Sequence, residues 1–343
     1  MKIIKNFFQK YEKYLTPIAL IGGFIIDNLT LRQTDAIFEN VFIVLYFILA
    51  MTCLFLWHYI DSKKTKKVST LEIQSILFLG MQFLFGGLFS ALTVFYIKSS
   101  SFVASWPFLI LLFGGMIASE YFKKHFNQFL VQISTLYFLI FTYSIVAVPL
   151  IVKSISQIVF ILSGIVSLIL IFSYIFVLQL YVPDLFQKKI RKVYIVILAV
   201  FVLMNFLYIK NIIPPIPLAL KDKGVYKQVI KTGPDYTFSD FESSYSFLKF
   251  KKEYTVPLGS PVYFYSSVFA PVKFNQTILH EWQKKDANGK WVKVFDLPFN
   301  IQGGNINGYR GYTMSSQVRT GEWRVLVKTK TGQILGGQTF IIK

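Results

Sequence analysis

Seven apolar stretches, separated by short polar loops in which lysine and arginine gather on every second loop, constrain this chain more than any other feature. They run from Leu15 to Leu31, Ala36 to Ile60, Leu71 to Ile97, Phe102 to Ser119, Phe129 to Val152, Ile158 to Leu180 and Val193 to Ile213. Each is near the roughly 20 residues that a helix needs to cross a hydrocarbon core. Helix is the required form, because a backbone group facing lipid finds no water and must bond within its own segment. The sequence therefore predicts an all-α membrane bundle of seven transmembrane helices over residues 1–213.

The basic residues predict how that bundle is oriented, since cytoplasmic loops retain Lys and Arg and short translocated loops are depleted of them. Lys2, Lys5, Lys10 and Lys13 precede the first span; Lys63, Lys64, Lys66 and Lys67 follow the second. Lys123 and Lys124 follow the fourth, and Lys188, Lys189, Arg191 and Lys192 follow the sixth. The intervening loops hold only Arg32, Lys98 and Lys153. This bias places the amino terminus inside, and an odd number of crossings leaves the carboxyl terminus outside. The amino end resembles a secretory signal, but it lacks a small-x-small cleavage site and contains Asp27, so it reads as an uncleaved first span.

A formal net charge of +19 raises the question of nucleic acid. About half of the basic residues are spent on topology, and the chain has no helix-turn-helix, finger or basic-zipper pattern, so no nucleic-acid partner is expected. With 54% apolar and 15% charged residues the composition is that of a membrane protein. Cys53 is the single cysteine and lies within the second span, which excludes a disulfide framework.

At Pro214, Pro215 and Pro217 the last helix cannot continue, and beyond them the apolar period changes to two. Strands are predicted at Tyr226 to Lys231, Phe247 to Val256, Val262 to Phe269, Gln276 to Gln283, Trp291 to Phe299, Tyr309 to Ser316, Trp323 to Thr329 and Thr339 to Ile342. The turn signals Thr232-Gly233-Pro234-Asp235, Pro257-Leu258-Gly259, Asp286-Ala287-Asn288-Gly289 and Thr331-Gly332 separate them. Short strands joined by hairpin-sized turns predict an all-β, immunoglobulin-like antiparallel sandwich over residues 214–343, on the extracytoplasmic side.

In the sandwich, Ile278, His280 and Trp282 share an apolar face, which makes His280 a core or rim histidine bonded to backbone before it is a ligand. Tyr263, Tyr265 and Phe269 share one face of another strand. Left open, that face would stack on sugar rings; a covering loop or the membrane domain would make it structural. The Gly- and Asn-rich segment Gly303 to Arg310 lies at a sandwich end, where binding sites gather. Arg310 beside Tyr309 and Tyr312 is the first residue to test for an anionic ligand, with a structural salt bridge as its alternative.

Ionisable groups inside a span are costly and so mark functional candidates. Asp27 is followed by Asn28, Thr30, Arg32 and Asp35, then by Glu39 and Asn40; Ser90, Thr93, Tyr96, Lys98 and the serines after it come from the outer end of the third span, and Trp106 begins the fourth. Asp27, Arg32 and Glu39 are the candidate catalytic groups, with Lys98 and Trp106 as ligand contacts, for a phosphate-bearing or lipid-linked substrate. The structural alternative pairs Asp27 with Arg32 or Lys98 to fasten helix ends. Gln82 and Asn205 are expected to bond between helices, and Gly22-Gly23, Gly86-Gly87 and Gly114-Gly115 to let helices approach closely. No metal constellation, phosphate loop or nucleophile elbow is present, and no metal or cofactor is expected.

Several short motifs follow one another along the chain: Asp27-Asn28-Leu29-Thr30-Leu31-Arg32, Leu88-Phe89-Ser90, Ser105-Trp106-Pro107-Phe108, His280-Glu281-Trp282, Tyr309-Arg310 and Gly321-Glu322-Trp323-Arg324-Val325. In this order the chain resembles the bacterial family called domain of unknown function 2914 over almost its whole length. The resemblance implies an extracytoplasmic β domain anchored in a bacterial cytoplasmic membrane, and it implies no activity. On these grounds the expected partners are membrane lipids together with an envelope glycan, a lipid-linked substrate or another protein. Binding by the sandwich is the first reading, an enzyme on a lipid-linked substrate at the outer leaflet the second, and a transporter the third.

Overall fold

The computed structural model describes residues 25, 27, 37–63, 68–99, 102–121, 128–187, 189–233, 235–241, 243–246, 251–257, 259–271, 274–304 and 308–343. The chain divides into two compact units, one formed by residues 1–97, 106–148 and 158–210, the other by residues 98–105, 149–157 and 211–343.

Seven helices are described: α1 (Ile37–Ser62), α2 (Val68–Ser99), α3 (Phe102–Tyr121), α4 (Phe129–Val152), α5 (Gln157–Tyr181), the short α6 (Asp184–Gln187) and α7 (Ile190–Ile209). Among the described residues five stretches are long and apolar enough to cross a membrane, one each in α1, α2, α4, α5 and α7; α3 contributes a shorter apolar helix, Ser105–Ser119. The expected first span falls outside the described residues except for Ile25 and Asp27, as do Gly22 and Gly23. Burial inside the protein rises from 22% in the α7 span and 28% in the α1 span to 67% in α4. Thus α4 lies at the centre of the helical unit, while α1 and α7 turn most of their apolar surface outward, as lipid-facing helices do.

The last helix stops at Ile209, short of the Ile213 that its apolar pattern suggests. Asn211 adopts a left-handed φ of 54° there, a conformation in which asparagine commonly ends a helix. The helix is therefore closed before the prolines are reached.

Between helices, tyrosines make the polar clasps that were expected of amides. Tyr96 Oη donates to the Thr142 carbonyl at 2.9 Å, Tyr174 Oη to the Met51 carbonyl at 2.9 Å, and Tyr143 Oη to Asn40 Oδ1 at 3.1 Å. Asn205 instead donates to Phe201 O of its own helix, and Gln82 Nε2 is buried without a partner among the described residues. The glycines seat aromatic rings rather than helix backbones. A Cβ on Gly87 would lie 2.8 Å from the Tyr46 ring and one on Gly115 2.3 Å from Phe89, whereas Gly114 meets nothing within 4 Å.

The second unit is built from eleven described strands: β1 (Ala219–Tyr226), β2 (Gln228–Thr232), β3 (Asp235–Ser239), β4 (Ser243–Ser246), β5 (Lys251–Tyr254), β6 (Val262–Phe269), β7 (Asn275–Lys285), β8 (Trp291–Gln302), β9 (Tyr309–Ser315), β10 (Gly321–Thr329) and β11 (Ile334–Ile342). One sheet has the order β1-β6-β9, a second β4-β5-β11-β10-β7-β8, and β2-β3 forms a separate hairpin. Pairing is antiparallel except between β5 and β11, which run parallel. The expectation of a wholly antiparallel sandwich fails at that pair. Local alternation marks a strand but carries no information about the direction of a partner distant in sequence.

The two larger sheets face each other across one core. Val225, Val262, Phe264 and Val268 meet Ile278, Trp282, Trp323, Val325, Val327 and Phe340 within it. The alternation read on β10 is obeyed, with Trp323, Val325 and Val327 each at most 2% exposed. Burial of this kind supplies about 25 cal/mol per Å² of apolar surface removed from water.

His280 is the polar group at the heart of this core. From β7 its ring reaches the opposite sheet, with Nε2 at 2.8 Å from Ser266 Oγ on β6 and Nδ1 at 2.8 Å from Thr313 Oγ1 on β9. Phe264 and Phe299 flank it, each with its centroid 4.8 Å away. The backbone partner expected for this histidine is thus replaced by two hydroxyls from the facing sheet. A neutral imidazole offers one donor and one acceptor, and a hydroxyl can serve as either.

Burial pushes the His280 imidazole down to about 3. Its folded value lies below the unfolded one, so the unfolded chain binds the extra proton. The neutral contribution to stability is complete above the ordinary histidine range near 6.5 and is lost as pH falls toward 3, by about 1.4 kcal/mol per pH unit. His280→Phe should flatten this acid limb and, by stranding two buried hydroxyls, lower stability at pH 7.5 by about 2 kcal/mol. Denaturant unfolding of the full chain, followed by tryptophan fluorescence across pH, checks both. In the same assay Trp282→Ala should cost about 3–5 kcal/mol through the cavity it leaves.

Candidate functional site

A cleft of 330 Å³ opens where the β2–β3 hairpin approaches the start of β9, lined by Lys231, Gly233, Asp235, Tyr236, Gly308, Tyr309 and Arg310. The hairpin is in register with Lys231 opposite Tyr236 and Thr232 opposite Asp235, and Gly233 supplies the positive φ of 61° that its turn needs. Tyr236 Oη donates to the Arg310 carbonyl at 2.9 Å, which fastens the hairpin to β9. On the other wall, Gly308 has a φ of +85°, and a Cβ there would lie 2.5 Å from Ser267 Oγ and 3.0 Å from the Val268 carbonyl carbon. Only glycine lets the chain enter β9 so close to β6.

The hairpin covers part of the aromatic face of the three-stranded sheet. Phe238 packs on Tyr265 with centroids 4.8 Å apart, Tyr236 on Tyr265 at 5.6 Å, and Tyr226 stacks on Phe238 at 4.5 Å. Tyr265 is left 3% exposed, whereas Tyr312 and Met314 on the same face remain 38% and 50% exposed. The face is thus divided: Tyr265 is structural, and the β9 side stays open. Burial pushes the Tyr265 phenol up; the Arg310 charge opposes the shift and Asp222 reinforces it. Burial likewise raises Tyr226, with Asp222 and Asp240 adding to it.

Chemically, the cleft brings two cationic residues, Lys231 and Arg310, to one space with Asp235, Tyr236 and Tyr309. Such a set holds an anionic group by charge-assisted hydrogen bonds and accepts hydrogen bonds from hydroxyls at the carboxylate. Among the described residues no cysteine, serine or histidine lines it.

The remaining predicted residues are dispersed. His280 lies in the sandwich core and does not reach the cleft. Asp27, half-buried, accepts a hydrogen bond from Ser90 Oγ of α2. Glu39 is 8% exposed in the first turn of α1, where a carboxylate complements the positive end of the helix. Lys98 occupies the last turn of α2, where a cation does the same for the negative end. Trp106 is 52% exposed. Arg32 lies outside the described residues.

Sequence reasoning missed Lys231, Asp235 and Tyr236, although the turn beside them was legible; strand β3 itself is short and alternates weakly. It also missed a polar ladder on the outer face of the six-stranded sheet. There Lys328 bonds Glu281, Gln283 Nε2 donates to Glu281 Oε1 at 2.5 Å, and Arg324 Nε donates to Gln283. Arg324 also lies over the Trp291 ring at 4.6 Å. Burial pulls the Arg324 guanidinium down, and Glu281 opposes that shift. The signal was present in β10, whose Arg324 and Lys328 alternate with its core residues. In the helical unit, the buried contact of His58 Nε2 with Gln132 Oε1 at 2.7 Å was signalled by a lone histidine inside an apolar run.

No curated protein matches this sequence. Among solved structures, an immunoglobulin-like protein from Pseudomonas aeruginosa aligns over 37% of this chain and 96% of its own, at 12% identity and a TM-score of 0.23. A β-glucosidase from Listeria innocua aligns over 35% and 16%, at 11% identity and 0.20. An alkylpurine DNA glycosylase from Pseudomonas fluorescens aligns over 91% and 99%, at 12% identity and 0.23. At such TM-scores none of the three carries an argument about this chain. The segment from β7 to β11, residues 275–342, matches the family described as "Protein of unknown function (DUF2914)", the family that the ordered motifs resemble.

Proposed function

We propose that this chain is a multi-pass membrane protein of the cell envelope whose β sandwich faces away from the cytoplasm and binds an envelope component or protein partner there. The observation that carries this reading is the cleft of Lys231, Asp235, Tyr236, Tyr309 and Arg310, a concave site with convergent polar groups beside exposed aromatic rings. The five long apolar helices support the anchor, and the loop charges support the orientation.

The second reading, an enzyme acting on a lipid-linked substrate, needs Asp27 as its acid or base. The hydrogen bond from Ser90 to Asp27 favours a fastening role instead. Asp27→Asn should therefore leave partner binding unchanged while the protein still inserts.

Two measurements test the proposal. A photo-crosslinking amino acid at Tyr309 should capture an envelope component in intact cells, and Arg310→Glu should reduce that capture at least fivefold; capture indifferent to Arg310 would remove the cleft from the reading. Because Cys53 is the single cysteine, Cys53→Ser combined with Thr320→Cys gives a unique label. A membrane-impermeant maleimide should react with it before lysis, and reaction only after lysis would reverse the assigned orientation.

A further inference from the structure

Resting on the binding reading above, we infer that the cleft and the open side of β9 form one elongated site for an acidic polysaccharide, a chain of pyranose rings bearing carboxylates. Tyr236 joins the two parts. It lines the cleft and meets the exposed Tyr312 edge-on with centroids 6.4 Å apart. Tyr312 in turn meets Tyr263 at 5.8 Å, and Tyr263 is the cross-strand partner of the exposed Met314. Arg310, Tyr312 and Met314 alternate along β9 and so share one face. At about 3.3 Å per residue that face extends about 13 Å, a length suited to a short run of sugar rings rather than to a single small ion.

The charges select the class of sugar. Lys231 and Arg310 flank the cleft as cations, and a guanidinium matches a carboxylate with two parallel hydrogen bonds. Asp235 stands in the same cleft. It repels a compact dianion such as phosphate, and as an acceptor it suits the hydroxyls that every pyranose carries. The tyrosine rings offer flat apolar faces with polar tips, the surface on which the C–H face of a sugar packs. An excess of basic residues over acidic ones from residue 214 onward, eighteen against nine, attracts a polyanion to this unit at long range.

The test uses the full-length protein in detergent micelles, titrated calorimetrically with tetragalacturonate, with cellotetraose as the neutral counterpart and with inorganic phosphate. Tetragalacturonate should bind at least tenfold more tightly than cellotetraose, and phosphate at equal concentration should not displace it. Arg310→Gln should weaken tetragalacturonate binding at least tenfold and leave cellotetraose unchanged. Tyr312→Ala should weaken both sugars, with unaltered unfolding midpoints showing that each variant is folded. Equal binding of the two sugars, displacement by phosphate, or no binding of tetragalacturonate overturns the polysaccharide assignment. If that assignment fails while crosslinking at Tyr309 still depends on Arg310, the site stands with a different ligand. If both fail, the cleft is not the binding site.

Discussion

Hydrocarbon offers a backbone amide nothing to bond, and this constraint shapes the helical unit. Its described spans are continuous helices whose apolar side chains point both inward and outward, so hydrophobicity alone cannot say which face meets a neighbour. Packing and a few polar contacts decide that. The ring of Phe89 against Gly115 and the ring of Tyr46 against Gly87 fix close approaches. The hydroxyls of Tyr96, Tyr143 and Tyr174 tie α2, α4 and α5 to their neighbours. Interhelical bonds of this kind average only about 0.6 kcal/mol each, so they set register more than they supply stability.

In water the constraint is inverted, and the sandwich is held by what it hides. Two of its three tryptophans, Trp282 and Trp323, occupy the core from neighbouring strands, at 0% and 2% exposure. His280 crosses between the sheets to two hydroxyls, an arrangement that leaves no buried donor or acceptor of the ring stranded. The His280-Glu281-Trp282 motif thus divides by strand alternation: its first and third residues build the core, and Glu281 joins the outer ladder with Gln283, Arg324 and Lys328. The second motif, Glu322-Trp323-Arg324-Val325, divides in the same way. Residues adjacent in sequence thus serve opposite faces of the sheet.

The cleft depends on a different device. A two-stranded hairpin has too little core to stand alone, and here β2–β3 gains one by laying Phe238 and Tyr236 over Tyr265. That packing leaves Lys231 and Asp235 at its rim, opposite Arg310. Gly308 on the facing wall lacks the side chain that would otherwise push β9 away from β6. The site is therefore a by-product of how the aromatic face is partly covered, and its polar lining comes from two segments more than 70 residues apart.

Period and composition, which act within one segment, were sufficient to read α4 at Phe129–Val152 and β6 at Val262–Phe269 as they stand, and to place the core face of β10. Arg310, Tyr309 and Tyr312 were legible as a cation among aromatics on a glycine-rich loop. Pairings between distant segments were not. The parallel match of β5 with β11, the hydroxyl partners of His280, the hairpin that closes over Tyr265 and the meeting of Lys231 with Arg310 all join residues whose local patterns are mutually silent. Amphipathic period tells a residue which side to face; only the folded chain, through the competition of all such faces for one core, decides what it finds there.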